Sequence, residues 1–394
     1  MRTVVPAFAR IASTVSCSTS FPDFKIPTEW KTSLGADYGT EVPGFGAFAV
    51  AANYIYGNTI RGLRWRDLRR DLDSIENNDP VGTLPDGRPY YDFDDSDGAS
   101  FNPTRGYDML LTNTSKGRSH TASLSLAKPL PFGFSLYTAY AYQNVTELSP
   151  ATSSRSVSNY GLAAVDDPQN PEVARSNYER RHRIVGSLRY EKPLLADIFS
   201  DRSLEHLSSH LAVFVEMRSG APFSYTFGDS EGGFALASLF GEEREFARRN
   251  RQLFYVPRGD GSDVTLDGID EDEFNDFLEQ TGLADYRGQI APRNAFTSPW
   301  YKRIDVRLAQ DVPGVMAKQK GRLMFDIQNL GNMINSKWGT LDQVPFPSIV
   351  PTVDVRYDEA TQRYVYSNLR TQRPEQVSLL PSLWRVQLTL MYEF

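Results

Sequence analysis

Cysteine is almost absent from this chain, since Cys17 is the only one in 394 residues. A single cysteine excludes an internal disulfide and any cysteine cluster that could hold zinc. The four histidines, His120, His182, His206 and His210, are scattered and suggest no Ser-His-Asp arrangement. Basic residues are fewer than acidic ones, with 42 Lys and Arg against 49 Asp and Glu. The formal net charge of −7 argues against a protein that binds nucleic acid by neutralising phosphates.

Long hydrophobic runs are missing as well. No apolar stretch approaches the roughly 20 residues that a transmembrane helix needs. The hydrophobic share is 40% and the mean hydropathy is −0.43. These values exclude a bundle of membrane-spanning helices. They are compatible with an outer-membrane β-barrel, because the alternation of apolar and polar residues keeps its average hydropathy low.

Aromatic residues, in contrast, are abundant, and the last segment of the chain shows how they are used. From Trp384 onward apolar residues recur at every second position, which predicts a strand with one apolar face. The segment matches the 9–11 tilted residues with which a strand crosses a bilayer, and its aromatic ends match the girdles at the lipid headgroups. The residues that we assign to this membrane-insertion strand are Trp384, Val386, Leu388, Leu390, Tyr392 and Phe394. A soluble sandwich could also end on such an edge strand.

The same alternation predicts further strands along the chain. They span residues 29–38, 45–56, 107–112, 119–127, 134–142, 181–190, 211–217, 303–309 and 322–328. We expect a turn at residues 114–117, a short strand at 252–256 and a short acidic helix at 270–280.

The lengths of the connections alternate. Counted back from the C-terminus they are long (330–382), short (310–321), long (219–300), medium (191–209), long (143–178) and short (128–133). Outer-membrane barrels have short periplasmic turns and long external loops, whereas a sandwich has no reason to sort its loops in this way. The predicted fold is therefore all-β: a partial antiparallel transmembrane outer-membrane β-barrel of roughly a dozen strands, with long extracellular loops.

Several blocks of the sequence, in this order and spacing, resemble one known family. They are Phe24-Lys-Ile-Pro-Thr-Glu-Trp-Lys31, Leu110-Leu-Thr-Asn-Thr-Ser-Lys-Gly117, Ser158-Asn-Tyr160, Ser176-Asn-Tyr-Glu179, Arg181-His-Arg-Ile184, Arg218-Ser-Gly-Ala-Pro-Phe-Ser-Tyr225, Leu253-Phe-Tyr-Val-Pro257, Arg293-Asn294, Pro299-Trp300, Arg303-Ile-Asp305, Phe325-Asp-Ile-Gln-Asn-Leu330, Lys337-Trp-Gly339 and the terminal Phe394. From about residue 24 to 394 the chain resembles the β-barrel domain of TonB-dependent transporters of the Oar-like type.

The resemblance implies active uptake across the bacterial cell outer membrane. In that family a ligand binds the loops and the plug, and the inner-membrane TonB complex pulls on the plug. We expect residues 1–23 to be a weakly structured leader, since Pro6, Arg10 and Ser13 interrupt any signal-like apolar core. We expect residues 24–394 to be the C-terminal part of the barrel, without the plug and with about half of the strands.

The expected partners follow from that reading. They are outer-membrane lipid, the barrel-assembly machinery through the C-terminal strand, and the TonB complex only through a plug missing from this chain. No nucleic acid is expected. An open sheet in lipid leaves unpaired N–H and C=O groups at several kcal/mol apiece. We therefore predict that the chain alone either closes into a smaller barrel, by pairing the strand of Trp30 with the strand of Val386, or is not stable in the membrane.

Neither catalysis nor a cofactor is predicted. Gly228-Asp-Ser230 resembles the nucleophile block of a lipase family, but no Asp-x-x-His follows it near the C-terminus. The acidic runs 92–97 and 260–272 could suggest calcium, yet the first fails the EF-hand template because Pro103 occupies the twelfth position. A solvated loop is the default reading, and calcium bound in a loop is a minor alternative.

Two sets of side chains are candidates for a functional site. Charged residues opposite the apolar strand faces are expected to face the lumen: Arg183, Arg189, Glu216, Arg303, Asp305, Arg307, Arg322, Asp326, Arg385 and Glu393. Aromatic residues of the external loops are candidate ligand contacts: Trp338, Phe346 and Tyr364. Two interpretations of the charged residues are open. They either contact a plug or form ladders of ion pairs along the wall of the lumen.

The leading hypothesis is therefore the barrel of a TonB-dependent receptor, active in uptake as part of an intact receptor. The alternative is a stand-alone barrel that acts as a passive pore or in surface adhesion. A third class, a secreted soluble β-protein, would require folding without detergent. The transported ligand is not readable from these residues.

Overall fold

The computed structural model describes residues 17–68, 80–91, 107–242, 244–314 and 319–393. Its strands in chain order are β1 Cys17–Ser20, β2 Thr28–Val42, β3 Gly46–Asp67, β4 Gly82–Thr83, β5 Pro89–Tyr90, β6 Asp108–Thr114, β7 Gly117–Pro129, β8 Phe134–Glu147, β9 Ala174–Arg175, β10 His182–Lys192, β11 Ser209–Arg218, β12 Pro222–Gly228, β13 Tyr255–Val256, β14 Val264–Leu266, β15 Gln289–Ile290, β16 Phe296–Thr297, β17 Tyr301–Pro313, β18 Lys320–Gln328, β19 Asp342–Gln343, β20 Ile349–Asp358, β21 Arg363–Ser367, β22 Gln376–Val377 and β23 Arg385–Glu393.

Helices are few and short. They are α1 Ser156–Gly161, α2 Leu194–Phe199, α3 Phe234–Phe240, α4 Arg244–Ala247, α5 Glu271–Thr281, α6 Leu330–Ile334 and α7 Leu379–Ser382, with 3₁₀ turns at Pro131–Gly133, Arg202–Leu204 and Leu283–Tyr286. Among the residues described, no helix is both long and apolar enough to cross a membrane.

Nine long strands form one antiparallel meander, which we call the wall. Each strand pairs with the next in the order β2, β3, β7, β8, β10, β11, β17, β18 and β23. With the short strands β1, β6 and β9 the sheet has twelve strands, as the sequence predicts. The strand β1 lies within the expected leader and pairs in parallel with β6, so that part of the leader is structured.

The register of the wall aligns its apolar residues in rows across the sheet. In one row Leu388 pairs with Phe325, which pairs with Leu308. The row continues through Leu211 to Tyr190. Leu388 is 67% exposed, so this face is not covered as a protein core would be. A continuous apolar face of this kind is the lipid-facing band of a membrane barrel.

The predicted turn at residues 114–117 is wrong. Both β6 and β7 run antiparallel to β3 in one unbroken register, in which Gly62 pairs with Thr114 and Asn58 with Arg118. They therefore form one long strand with an interruption, not a hairpin. Gly117 adopts a φ of +129° there, a conformation that only glycine adopts readily. Residues 114–117 are of the types that favour turns and so predicted a reversal of the chain, but here they only interrupt a strand that continues in the same direction.

Of the two outcomes predicted for the sheet, closure through the strands of Trp30 and Val386 is wrong. Within the part of the chain that the structure describes, β2 pairs only with β3 and β23 only with β18. The strand of Trp30 and the strand of Val386 are therefore two open edges of the wall. Each of these strands can be hydrogen-bonded on two sides and, among the residues described, uses only one, so each presents a row of backbone groups without a partner strand.

At one end of the wall strands the long connections fold together into a second unit, which we call the cap. We define it as residues 80–91, 222–242, 244–297 and 341–377. Its five-stranded mixed sheet has the order β14-β21-β20-β12-β16, with β12 parallel to β20 and β14 parallel to β21. The cap buries a cluster of aromatic and aliphatic side chains that includes Phe227, Leu236, Phe254, Leu278 and Tyr366.

The sequence predicted only part of the cap. The strand at 252–256 and the helix at 270–280 correspond to β13 and α5. The interval 330–382, however, was expected to be a loop and contains β20 and β21. In β20 apolar and polar residues do alternate over residues 353–358, so the signal was present in the sequence although the interval was expected to be a loop. In β21, Tyr364, Val365 and Tyr366 are all buried, and a strand buried on both faces has no polar side to reveal it.

Candidate functional site

Buried polar side chains fix the cap to the ends of the wall strands, and Glu179 is the centre of one such group. Its carboxylate accepts hydrogen bonds from the backbone N–H of Val145 (2.7 Å) and from the guanidinium groups of Arg175 (2.6 Å) and Arg181 (3.0 Å). The Glu179 side chain is fully buried. Three donors compensate the cost of removing this charge from water. The group joins the end of β8 to the segment that leads into β10, and it reaches the cap because Arg175 also donates to the hydroxyl of Thr297 (2.7 Å).

Asn294 extends this group into the cap. Its backbone N–H donates to the hydroxyl of Ser224 (2.8 Å), and its side-chain amide donates to the carbonyl of Arg175 (2.7 Å) and to Asn177 Oδ1 (2.6 Å). The residue has a φ of +59°, which asparagine tolerates better than most side chains. It therefore connects β12 of the cap with the loop that precedes β10.

Asn329 forms a second joint at the ends of β17 and β18. Its N–H donates to Asp305 (2.7 Å), and its side-chain amide donates to the carbonyls of Gly339 and Ser382 (both 2.9 Å). A Cβ on Gly339 would lie 1.9 Å from Asn329 Oδ1, and Gly339 has a φ of +63°. Only glycine fits at this position, for reasons of both space and backbone conformation.

These joints coincide with the sequence blocks that carry the resemblance. Glu179, Asn294, Asn329 and Gly339 all belong to those blocks. The blocks therefore encode the attachment of the cap to the wall. Sequence reasoning did not identify Glu179, Asn294 and Asn329 as anchors, because each is polar and only the tertiary structure shows that it is buried.

The charged residues predicted opposite the apolar strand faces lie together on the other face of the wall. Four of the arginines are paired at short distance: Arg183 with Glu216 (3.0 Å), Arg303 with Asp305 (2.7 Å), Arg307 with Asp326 (2.5 Å) and Arg322 with Asp311 (2.5 Å). The arrangement is a set of ion pairs on a polar sheet face.

The remaining members of that charged set differ. The guanidinium of Arg189 lies 5.9 Å from the ring of Phe214, and Arg385 pairs along the backbone with Gln328. Glu393 ends β23, and its side chain is outside the described part of the structure. Asp311, the partner of Arg322, was not predicted, although it continues the same alternation two positions beyond the predicted strand.

The predicted C-terminal strand is present as β23. Val386, Leu388, Leu390 and Tyr392 share its apolar face and are exposed, and Trp384 directly precedes the strand. Phe394 lies outside the described residues.

The loop aromatics predicted as ligand contacts do not form one site. Trp338 and Phe346 are exposed. Tyr364 is wrong as a ligand contact, because it has no exposed surface and its hydroxyl donates to the buried Asp86 (2.8 Å). Burial raises the pKa of the Tyr364 phenol well above its usual range. Its role is in the core of the cap.

The cap contains a cleft that the sequence did not reveal. It has a volume of about 810 Å³ and lies between α5 and residues 370–375. Aromatic rings form its wall: Phe223, Tyr225, Phe277 and Phe296. The ring of Tyr225 lies edge-on to Phe296, with 4.7 Å between the centroids.

The helix α5 supplies the polar side of the cleft. Asp270 caps its N-terminus by accepting from the N–H of Glu273 (2.9 Å), and Gly282 ends it in the left-handed conformation. Phe274 and Leu278 are buried in the cap, as the four-residue spacing of a helix face requires. Glu273, Asp276 and Gln280 consequently lie on the side that lines the cleft.

Tyr225 lies on the wall of the cleft. The residue is 5% exposed, and across the part of the chain that is described its hydroxyl has no hydrogen-bond partner. Burial, and secondly the charge of Glu375, raise the pKa of Tyr225 to about 12. The phenol is therefore neutral at physiological pH and can donate a hydrogen bond into the cleft.

No cluster of three or more His, Cys, Asp or Glu side chains with the geometry of a metal site occurs within residues 17–68, 80–91, 107–242, 244–314 and 319–393. The acidic run 92–97 lies outside those ranges. In the second run, Asp263 accepts from the hydroxyl of Tyr255 (2.7 Å) and Asp260 from Ser262. These carboxylates hold the local backbone and side chains in place.

A comparison with protein families now adds to this geometry. A family model described as an outer membrane beta barrel domain matches residues 44–340. The chain belongs to this family. It is an all-β protein of the bacterial outer membrane, in a family whose members generally have transport or structural roles. Neither a curated protein nor a solved structure matches the chain significantly.

Proposed function

We propose that this outer-membrane barrel is part of a TonB-dependent transporter of the Oar-like type, which takes up its ligand actively as part of an intact receptor. One observation carries the proposal. The sequence blocks that resemble that family include residues at the junction of the cap and the wall. Asn294 of the cap bonds to Arg175, and Glu179 holds the same Arg175, which donates to Thr297 of the cap. Asn329 holds Gly339 and Ser382, on the segments that lead into and out of residues 341–377. A receptor needs external loops held in a defined shape above the barrel, and these anchors supply it.

The polar face of the wall also supports the proposal. It carries closely spaced ion pairs, such as Arg307 with Asp326, and water-filled or plugged barrel interiors accommodate charge of this kind. In the proposed receptor this face surrounds a plug, and the plug makes the contact with the TonB complex.

The open edges β2 and β23 fit the same proposal. Unpaired backbone groups in lipid cost several kcal/mol each, so the proposed receptor includes further strands that pair with these edges. Barrels of about 22 strands are wide enough to require a plug. The barrel-assembly machinery would bind the receptor through β23, and lipid would contact the face that carries Leu388.

The test uses the intact receptor, purified from the outer membrane of the bacterium that produces it. We expect no steady KCl conductance in planar bilayers, because a plug fills the lumen. We also expect the receptor to be captured by the purified periplasmic domain of the host's TonB protein. A steady open-channel current without capture would instead support the alternative of a passive pore.

A further inference from the structure

The cleft of the cap has carboxylates that the protein itself does not neutralise. Glu273 and Asp276 lie one helical turn apart on α5, and both are exposed at the cleft. Within the described part of the chain neither side chain forms an ion pair. The backbone N–H of Glu273 donates to Asp270 at the N-terminus of the helix. Two carboxylates this close attract a cation from solution, because each repels the charge of the other.

The arginines of the cleft are already matched with carboxylates. Arg370 pairs with Asp354 (2.6 Å), and Arg373 pairs with Asp342 (3.2 Å) and Glu375 (3.3 Å). An anionic ligand would have to compete with these pairs. The cleft therefore favours positive charge.

The other side of the cleft is suited to the apolar part of such a ligand. The rings of Phe277 and Phe296 flank Tyr225, with centroids 6.3 Å and 4.7 Å from its own. Aromatic rings attract cations through their faces and also bury hydrocarbon. Tyr225 is largely buried, and its hydroxyl, which has no partner among the described residues, offers one hydrogen bond at the wall.

We propose that this cleft binds a positively charged organic group, an ammonium or a guanidinium, carried on an apolar stem. The volume of about 810 Å³ lies in the range of small-molecule sites and admits either a free amine or a basic side chain of a peptide. In the context of the proposed uptake function, this cleft is the external site at which the ligand is first held.

The first experiment compares three probes that share a phenyl ring and differ in charge, by titration calorimetry on the full chain in detergent. We expect saturable binding of phenethylamine, which is cationic, and none of N-acetylphenethylamine or phenylacetate. Binding should weaken as salt is raised from low ionic strength to 0.5 M, because the carboxylates of Glu273 and Asp276 are exposed and salt screens them. Equal binding of the neutral amide would overturn the proposal.

A peptide pair identifies the source of the cation. Phe-Arg amide and Phe-citrulline amide, both with an acetylated N-terminus, differ essentially only in the charge of one side chain. Stronger binding of Phe-Arg amide than of phenethylamine assigns the cleft to basic side chains of peptides, and the reverse assigns it to free amines. If neither Phe-Arg amide nor phenethylamine binds, the proposal is wrong.

Matched variants locate the site. The double substitution Glu273→Gln with Asp276→Asn should weaken phenethylamine binding about tenfold, as expected for the loss of two partly exposed charges beside a cation. The control Asp272→Asn with Glu279→Gln removes the same charge from the same helix outside the cleft and should leave the affinity within about twofold. An unchanged affinity in the first variant contradicts the proposal.

A third variant, Tyr225→Phe, removes only the hydroxyl and should weaken binding about threefold. Circular dichroism and gel mobility before and after boiling check that each variant is folded. None of these measurements needs TonB or an energised membrane. A failure of the cleft proposal is therefore distinct from a failure of the proposed uptake function, which the conductance and capture experiments test.

Discussion

The wall and the cap bury their apolar residues in opposite ways. Leu388 and Leu390 of the wall are 67% and 72% exposed, while Phe227 and Tyr366 of the cap have no exposed surface. The wall is a single sheet whose apolar face requires lipid, whereas the cap has a protein core of its own. Membrane insertion should therefore limit the stability of the wall, and internal packing that of the cap.

The ion pairs of the two regions also differ in exposure, with exposed pairs on the wall and a buried pair in the cap. On the wall the pair of Arg183 with Glu216 is half exposed. In the cap the pair of Arg251 with Glu242 is almost completely buried. An exposed pair contributes about 0–1 kcal/mol, while breaking a buried pair by removing one partner costs several kcal/mol. The cap is consequently the region more sensitive to single substitutions of charge.

The largest expected effect tests this sensitivity. Arg251 lies 2.8 Å from Glu242 and 4.6 Å from the ring of Tyr160, and the side chains of Arg251 and Glu242 have at most 1% exposure. Arg251→Ala leaves Glu242 buried and unpaired, so the cap should lose about 3–5 kcal/mol of its free energy of unfolding. Urea unfolding followed by near-ultraviolet circular dichroism measures the loss.

The control for this variant is the double substitution Arg251→Met with Glu242→Gln. It removes both charges at similar volume, so most of the stability should return. If Arg251→Ala costs no more than an exposed pair would, the distinction between cap and wall is wrong.

The next effect separates the two faces of the wall. Leu388→Arg places a charge on the apolar face and should cost about 2–4 kcal/mol near the middle of the bilayer. Gln387→Arg places the same charge one residue away on the polar face and should cost little. Insertion into lipid vesicles and heat-dependent gel mobility compare them. Equal losses in both variants would mean that the apolar face does not contact lipid.

The smallest effect concerns pH and is confined to the cap. Burial raises the pKa values of Tyr364 and Tyr366 well above the usual value near 10. The folded cap then holds protons that the unfolded chain releases above pH 10, so stability is complete below pH 10 and decreases as pH rises further. The slope should be about 1.4 kcal/mol per pH unit for each tyrosine.

Urea unfolding at pH 9, 10 and 11, with tyrosinate absorbance recorded in parallel, tests this pH dependence. Tyr366→Phe should reduce the slope by about 1.4 kcal/mol per pH unit, because one buried phenol is removed. A slope near zero above pH 10 in the unsubstituted chain would show that these phenols ionise as easily in the folded cap as in the unfolded chain.

The wall was largely predictable from the sequence, and the candidate site was not. The alternation that leads from Val386 to Tyr392 gives the strand and its apolar face directly, since a strand exposed differently on its two sides must alternate. No such rule identifies Tyr225, because its neighbours Phe277 and Phe296 are more than 50 residues away in the chain. The error at Tyr364 has the same cause, since an aromatic residue in a loop looks the same whether it is exposed or buried.

The amino-acid sequence by itself determined the class of the protein, the membrane strands and the order of short and long connections. The alternation of apolar and polar residues is a local property of each strand, and lipid stabilises the apolar face of every strand that has it. Only the tertiary structure decided that the long connections pack into a cap, that Glu179 and Asn294 anchor it, and that a cleft with unmatched carboxylates opens in it. Those features depend on contacts between distant segments, and no local pattern of residues specifies them.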